Sequence, residues 1–342
     1  MLRKAYRTFG AASNVSSTAV IQVKPGIGDV IWHLPFVRAI AAASPGGQVT
    51  FLTPPRSGAR DLLNAEPGVA EVLYFEHGGS ELQRGLNLLR LSQLLKRRGF
   101  RTVWILDRTI RPALAAWLAG VPERIGLGLG TQRLLITNPG IDSSHFHDEP
   151  IDWLTALMAA MNVPLLTREP NLPVPGETLL AVDAKFAAEP RPWIVLGIAA
   201  SHPDKDWPEG YWAEFAAALR KRTGGSIFLI GGQQNKARAK ELIARTPRAA
   251  LIDACDLTLL ESVALLRHAD LFVGSNSGPL NLAAASQTEA FGLFGNTPVL
   301  TYSNYIHAIL PEGGPSPDGM GRILPTDVLD AIAPYLDLRK RP

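Results

Sequence analysis

A glycine-rich turn in the second half of the chain joins an apolar run to the start of a predicted helix. Gly274 and Gly278 let the backbone turn tightly, and Pro279 suits the first turn of a helix. Because the first amides of a helix lack partners within it, such a turn can bind a phosphate or a sugar hydroxyl. A turn that only caps its helix fits the same residues, so both interpretations stand. The turn adds three short polar side chains: Ser275, Asn276 and Ser277.

A second glycine turn, residues 25–29, follows the first predicted strand, Ala19–Lys24. This position places Asp29 at the carboxyl edge of a sheet, where a carboxylate can accept the proton of an attacking hydroxyl. Asp29 can equally be a helix N-cap or lie near one. The turn lacks the third glycine of a dinucleotide-binding fingerprint.

Two further residues have a functional and an ordinary interpretation. Lys205 precedes a helix predicted to begin near Pro208, where an ammonium group is well placed against a phosphate. An isolated lysine is also commonly a solvated surface residue. His33 follows Trp32 on the first predicted helix, and both core packing and contact with a substrate fit it.

The four residues with closely spaced donor atoms near position 147 match no metal-binding motif. We therefore predict no metal site, and interpret this segment as a substrate-binding loop or plain surface. The residues are His145, His147, Asp148 and Glu149.

The composition excludes several classes of protein. A chain of 342 residues, 46% of them hydrophobic, can form two domains with substantial cores. The formal charge of +3, without a basic stripe containing aromatic residues, argues against nucleic-acid binding and permits contact with phosphorylated molecules or an anionic membrane. The single cysteine, Cys255, fits a reducing compartment. One local basic cluster could attract an acidic glycan or an anionic leaflet, although a solvated helix face is the ordinary explanation for much of its charge. The cluster consists of Arg84, Arg90, Lys96, Arg97, Arg98 and Arg101.

The elements that would position these residues alternate between strand and helix, which predicts an α/β fold of two doubly wound domains facing a cleft. The last strand is predicted at 290–295. The predicted organisation is a flexible extension (1–18), a first Rossmann-like domain (19–165), a proline-rich linker (166–192), a second Rossmann-like domain (193–325), and a final helix and tail (326–342).

Several segments, in this order and spacing, resemble the ADP-heptose:lipopolysaccharide heptosyltransferases of glycosyltransferase family 9. The resemblance covers roughly residues 19–336. The segments are GD at 28–29, KDWP at 205–208, GG at 231–232, a helix opening at Thr258 with Glu261, SNSGP at 275–279 and FGNT at 294–297.

This resemblance implies a GT-B fold and an inverting, metal-independent transfer of a sugar to a growing surface glycan. It implies no cofactor, but a nucleotide diphosphate sugar as co-substrate, with an ADP-sugar favoured. The expected acceptor is lipopolysaccharide or another glycan or glycolipid, and the expected location is the cytoplasm, with room for peripheral contact with the inner membrane. The oligomeric state is not predicted.

The resemblance also assigns roles to residues. Asp29 matches the general base, and Gly26, Gly28 and His33 are assigned to the acceptor side. The residues assigned to the donor are Ser201, Lys205, Gly232, Ser275, Asn276, Ser277, Gly278, Pro279 and Asn281.

The chain departs from the family pattern at two positions, one in the turn at 275–279 and one in the predicted helix that follows it. Asn276 and Asn281 stand where the family usually has aspartate and histidine. The donated group is therefore expected to be heptose or a related sugar, and not necessarily heptose itself. Two alternatives remain: a GT-B epimerase or hydrolase that acts on the nucleotide sugar itself, and a non-catalytic binding protein in glycan assembly.

Overall fold

The computed structural model describes residues 16–198, 200 and 202–338. Residues 1–15, most of the predicted extension, lie outside this range, as do Ser201 and the last four residues. The first sheet is parallel throughout, with the order β3-β2-β1-β4-β5. Its strands are β1 (Thr18–Ile21), β2 (Val49–Thr53), β3 (Val69–Tyr74), β4 (Thr102–Ile105) and β5 (Glu123–Gly126).

Helices cover both faces of the first sheet. Ser80 caps α3, since its Oγ accepts a hydrogen bond from the Gln83 amide. Gly99 ends α3 in the left-handed conformation. The helices are α1 (Ile27–Ala43), α2 (Ala59–Leu62), α3 (Glu81–Arg98), α4 (Ile110–Leu118) and α5 (Pro150–Ala160).

The second sheet is also parallel, with the order β11-β10-β9-β6-β7-β8. Its strands are β6 (Trp193–Gly197), β7 (Ser226–Ile230), β8 (Leu251–Asp253), β9 (Leu271–Ser275), β10 (Ala290–Leu293) and β11 (Ile306–Ile309). The accompanying helices are α6 (Gly176–Lys185), α7 (Glu209–Thr223), α8 (Lys236–Arg245), α9 (Leu259–His268), α10 (Gly278–Ala285), α11 (Gly319–Arg322) and α12 (Pro325–Leu338).

The two doubly wound sheets confirm the predicted fold class, but the prediction that 290–295 is the last strand is wrong. β11 follows it and pairs in parallel with β10. The domain boundaries at 165 and 192 stay predictions. In the described part of the chain, no helix combines the length and the apolar character needed to span a membrane.

The two sheets are joined through the packing of α1 against α10. Apolar side chains of α1 such as Val30 and Leu34 share one buried cluster with Leu280 and Leu282 of α10. Both helices begin just after the carboxyl end of a central strand, β1 or β9. The packing therefore brings the first turns of the two helices together, each with its unpaired amides.

Candidate active site

A cleft of about 820 Å³ lies between the carboxyl edges of the two sheets. Its volume is within the range typical of small-molecule sites. The first half of the chain contributes residues 25–29 together with Trp32 and Arg56. The second half contributes Ala200, Lys205, Ile230, Gly231, Gly232, Gln234, Leu257, Leu259, Ser262, Asn276, Ser277, Gly278, Pro279, Asn281, Leu282 and Leu300.

Asp29 lies in the first turn of α1, three residues after the N-cap Gly26. Its Oδ2 accepts a hydrogen bond from the Gly26 amide (3.1 Å), and its Oδ1 accepts one from Trp32 Nε1 (3.3 Å). The side chain is half-buried on the cleft wall. Asp29 is thus near the N-cap, as one interpretation held, and its carboxylate also lines the cleft.

Burial raises the pKa of the Asp29 carboxyl above its ordinary value. Lys24 and the bonds from Trp32 and Gly26 oppose this effect, while Asp107 adds to it. A higher pKa makes the ionised carboxylate a stronger proton acceptor near neutral pH. The local environment therefore suits a general base.

His33 is buried beneath the cleft, with 2% of its surface exposed. Its Nδ1 lies 2.5 Å from the carbonyl oxygen of Asp29, and burial lowers its pKa to about 3. The ring is buried and does not line the cleft, so the structure favours core packing, and the assignment of His33 to acceptor contact stays a prediction.

The donor turn, residues 275–279, forms the opposite wall of the cleft. Ser277 is the N-cap of α10, and its hydroxyl donates to the carbonyl of Ser275 (3.2 Å). The Asn276 side chain donates to Thr297 Oγ1 (2.9 Å), and the Asn276 carbonyl lies 3.5 Å from Lys205 Nζ. A cation thus lies beside the positive end of a helix, an arrangement that suits a polyanionic ligand.

The loop that carries Lys205 is fixed from beneath. Trp207 is buried and donates from Nε1 to the carbonyl of Ile323 (2.8 Å). Arg238 of α8 donates from Nη1 to the Ile198 carbonyl (2.7 Å) and to Asp206 Oδ1 (2.8 Å). These contacts hold the chain on both sides of Lys205 and orient its ammonium group toward the cleft.

The sequence model of one protein family, glycosyltransferase family 9 (heptosyltransferase), matches residues 88–309 of the chain. The chain belongs to glycosyltransferase family 9. It is a glycosyltransferase of the heptosyltransferase-like type, and the resemblance read from its motifs is confirmed.

The chain is similar to lipopolysaccharide heptosyltransferase 2 of Salmonella typhimurium, with 25% identity over 79% of this chain and 80% of that protein. Among solved structures it is similar to the Escherichia coli ADP-heptose lipopolysaccharide heptosyltransferase II (TM-score 0.74, 22% identity, 94% and 99% of the two chains). It is also similar to E. coli heptosyltransferase WaaC with ADP (TM-score 0.69, 17% identity, 94% and 99%). These structures show the same fold.

The family 9 chain brings most of its predicted site residues together in the cleft. Those that line it are Gly26, Gly28, Asp29, Lys205, Gly232, Asn276, Ser277, Gly278, Pro279 and Asn281. Ser275 is buried at the end of β9, and its carbonyl accepts the hydrogen bond from the Ser277 hydroxyl. Ser201 lies outside the described residues, so its role stays a prediction.

Sequence reasoning missed several residues of the cleft. Trp32 was visible as the residue three positions after Asp29, on the same helix face. Arg56 was visible as a basic residue shortly after β2, at the carboxyl edge of the sheet. No sequence signal indicated the apolar contribution of Leu257, Leu259 and Leu300.

The segment with clustered donor atoms forms local contacts. His145 Nδ1 lies 2.7 Å from Asp148 Oδ2, and the His145 carbonyl accepts a hydrogen bond from Trp153 Nε1 (2.7 Å). Within residues 16–198, 200 and 202–338, no three His, Cys, Asp or Glu side chains are grouped so that they could hold a metal ion.

Proposed function

We propose that the protein transfers heptose or a related sugar from an ADP-sugar to lipopolysaccharide or another surface glycan. Family membership supports sugar transfer. The name of the Salmonella relative supports the acceptor, and the WaaC structure with ADP supports the nucleotide. Because such an acceptor is anchored in a membrane, we propose that the protein works at the cytoplasmic face of the inner membrane.

In the proposed reaction, Asp29 acts as the general base. The oxygen of an acceptor hydroxyl attacks the anomeric carbon of the donor sugar, and its proton passes to the Asp29 carboxylate. The bond between that carbon and the diphosphate oxygen breaks, and the diphosphate leaves with the electron pair. Attack from the side opposite the leaving group inverts the anomeric configuration.

In the proposed reaction, the donor turn and Lys205 stabilise the charge that develops on the departing diphosphate. We propose that Lys205 and the first amides of α10, such as that of Gly278, bind these phosphate oxygens. Preorganised donors of this kind stabilise a developing charge more than water does, because they need no reorganisation during the reaction. Cation and amide groups would then suffice for the transfer without a metal ion.

One observation carries the proposal: Asp29 and the donor turn line opposite walls of the same cleft. A Cβ atom built on Gly28, the neighbour of Asp29, would come within 2.8 Å of the Asn281 side chain on α10. The start of α1, which carries the base, is therefore in contact with α10, which begins at the donor turn, so both groups border one site where two substrates can be held together.

Asp29→Asn tests the base, since it keeps the shape of the side chain and removes its basicity. We expect transfer to fall at least about 100-fold, the usual contribution of a general base, with ADP affinity retained. The exposed Asp61 on α2 provides the matched control, Asp61→Asn, which should transfer normally. Transfer is measured by mass spectrometry of the acceptor, and ADP binding by calorimetry. A normal transfer rate in Asp29→Asn would refute the assignment.

Three further measurements test the finer parts of the proposal. The anomeric configuration of the product, measured by NMR, should be opposite to that of the donor. Transfer should persist in excess EDTA. Donor incubated without acceptor should stay intact, whereas an epimerase or hydrolase would convert it and a non-catalytic binding protein would convert nothing under either condition.

A further inference from the structure

The outer face of α3 and α4 exposes an unusual number of large apolar side chains. We propose that this face is a docking surface for an anionic lipid bilayer; the inference rests on the proposed function, because it supplies the place where a membrane-anchored acceptor reaches the cleft. The exposed fractions run from 37% for Ile110 to 76% for Leu82. The apolar patch consists of Leu82, Leu86, Leu89, Ile110, Trp117 and Leu118.

The spacing of these residues makes the patch continuous. Leu82, Leu86 and Leu89 recur at intervals of four and three residues, so they share one face of α3. Ile110, Trp117 and Leu118 share one face of α4 by the same rule. The helices pack together, and an ion pair joins Glu81 to Arg111 (4.0 Å), so the first turns of α3 and α4 lie side by side.

The face of α3 opposite the apolar patch packs against the core of the first sheet. Leu91 and Leu95 are buried in a cluster with Ala113 and Ala116 of α4. The outer leucines therefore contribute nothing to this core. Single exposed leucines need no explanation, but six large apolar groups on two adjacent helices indicate a binding surface.

The basic residues around the apolar patch favour an anionic lipid bilayer as its binding partner. Along α3, five residues are basic and one, Glu81, is acidic. Lys96 and Arg97 follow Leu89 by seven and eight residues and so continue the apolar face, while Arg90 flanks it. None of these three cations has an acidic partner within 4.0 Å among the described residues. Leucine and tryptophan beside cations without a carboxylate partner match the acyl boundary and phosphates of an anionic bilayer.

The position of the patch fits the direction from which the acceptor must arrive. Both α3 and α4 begin after the carboxyl ends of their strands, β3 and β4, at the same sheet edge as Asp29. A bilayer against Leu82 and Ile110 therefore lies beside the first-domain side of the cleft. In this proposal, the headgroup of a membrane-anchored glycolipid approaches Asp29 from that edge of the sheet.

Flotation with vesicles of phosphatidylethanolamine and phosphatidylglycerol tests the surface. We expect the wild-type protein to float with these vesicles and not with neutral phosphatidylcholine vesicles. The triple variant Leu82→Ser/Leu86→Ser/Leu89→Ser should lose binding by more than about tenfold, since each buried apolar group adds to partitioning. The matched control, Leu134→Ser/Leu166→Ser/Leu180→Ser, changes three exposed leucines elsewhere and should bind normally.

A second pair of variants tests the charge. Arg90→Gln/Lys96→Gln/Arg97→Gln should weaken binding to anionic vesicles by more than about tenfold, and added salt should weaken wild-type binding. Lys221→Gln/Lys240→Gln/Arg248→Gln removes three exposed cations from the second sheet's helices and loops and should have little effect. Circular dichroism melts confirm that each variant is folded.

The inference would be overturned if the wild type did not float, or if the matched controls lost as much binding as the test variants. It would also be overturned if light scattering showed a change in the oligomeric state of the leucine variant, because the patch would then be a contact between protein chains. Transfer to a deacylated acceptor in solution separates this inference from the proposed function. Normal transfer without vesicle binding would remove only the docking surface, whereas vesicle binding without transfer to any acceptor would leave the surface and remove the function.

Discussion

Tyr302 donates a hydrogen bond from Oη to Oδ1 of Asn281 at 2.5 Å, beneath the floor of the cleft. Asn281 in turn donates from Nδ2 to the carbonyl of Ser277 (2.7 Å), so both ends of its amide have partners. Asn281 is 6% exposed and lies against Gly28 on the other wall. Asn281 therefore fixes the donor turn and supports the backbone next to Asp29.

We expect Tyr302→Phe to destabilise the protein by about 1–3 kcal/mol, because it leaves the buried Asn281 oxygen without a donor. Transfer should fall with it, since the Asn281 amide becomes free to rotate away from Ser277. Tyr305→Phe is the matched control, because no hydrogen bond of the Tyr305 hydroxyl exists among the described residues. Chemical denaturation measures the difference, and equal stability of the two variants would contradict the role of this bond.

Gly28→Ala should reduce both stability and transfer. The added Cβ would lie 2.8 Å from the Asn281 side chain, so α1 and α10 must separate slightly or Asn281 must move. Gly85→Ala on α3 is the control: its Cβ meets no atom within 4 Å, and alanine in a helix should stabilise by about 0.5–1 kcal/mol.

Adding Asn281→Ala to Gly28→Ala tests this explanation. If the clash causes the loss, the second substitution removes it, and the two changes should be non-additive by more than about 0.5 kcal/mol in a double-mutant cycle. Additive effects on the free energy of unfolding would show that Gly28 is required for another reason.

The place of Asp29 was predictable from the sequence, and its surroundings were not. An apolar strand followed by a glycine turn puts the next residue at the carboxyl edge of a sheet, and α9 was predictable from its capping box, in which Thr258 and Glu261 bond each other's amides (3.2 and 2.8 Å). The contact between Tyr302 and Asn281 depends on the path of a loop after β10, which local preferences do not determine.

The features that the sequence did not indicate have physical causes of the same kind. α1 is buried on most of its surface, so its hydrophobic pattern could not indicate that His33 faces the core. β8 has three residues and β11 lies at an edge with only Ile309 buried, so neither shows the apolar run of a central strand. α8 has the sequence KARAKELIAR, in which only Ala239 and Leu242 are buried. Its many charged residues leave too weak an apolar pattern to indicate a packed helix.

Lys205→Met should weaken ADP binding by about tenfold or more, as expected for one charge-assisted hydrogen bond to a phosphate. The loss should shrink as salt rises, because ions screen the attraction between ammonium and diphosphate. Lys240→Met, an exposed lysine on α8, is the matched control. Calorimetry at two salt concentrations provides the test, and an unchanged dissociation constant for Lys205→Met would exclude a contact with the diphosphate.

Trp32→Phe should move the acid limb of the transfer rate to higher pH. The hydrogen bond from Trp32 Nε1 favours the ionised form of Asp29 and so lowers its pKa. Its removal should raise the pKa, and a base that must be ionised then loses activity at a higher pH than in the wild type. Trp153→Phe removes an indole hydrogen bond to His145 and controls for the substitution itself. A shift toward lower pH would contradict the assignment of Asp29 as base.

Asp29→Asn should also change how stability depends on pH. Burial raises the pKa of Asp29 in the folded protein above its unfolded value, so the folded state favours the protonated carboxyl. In the wild type, the stability that the protonated Asp29 carboxyl contributes is fully present below the unfolded pKa and is lost as pH rises through the folded pKa. Asparagine stays neutral throughout, so its contribution does not change with pH. The melting temperature of Asp29→Asn relative to wild type should therefore increase with pH across this interval and then level off. Asp61→Asn gives the baseline for removing one surface carboxylate, and a relative melting temperature of Asp29→Asn that fell with rising pH would show that the folded state favours the ionised form instead.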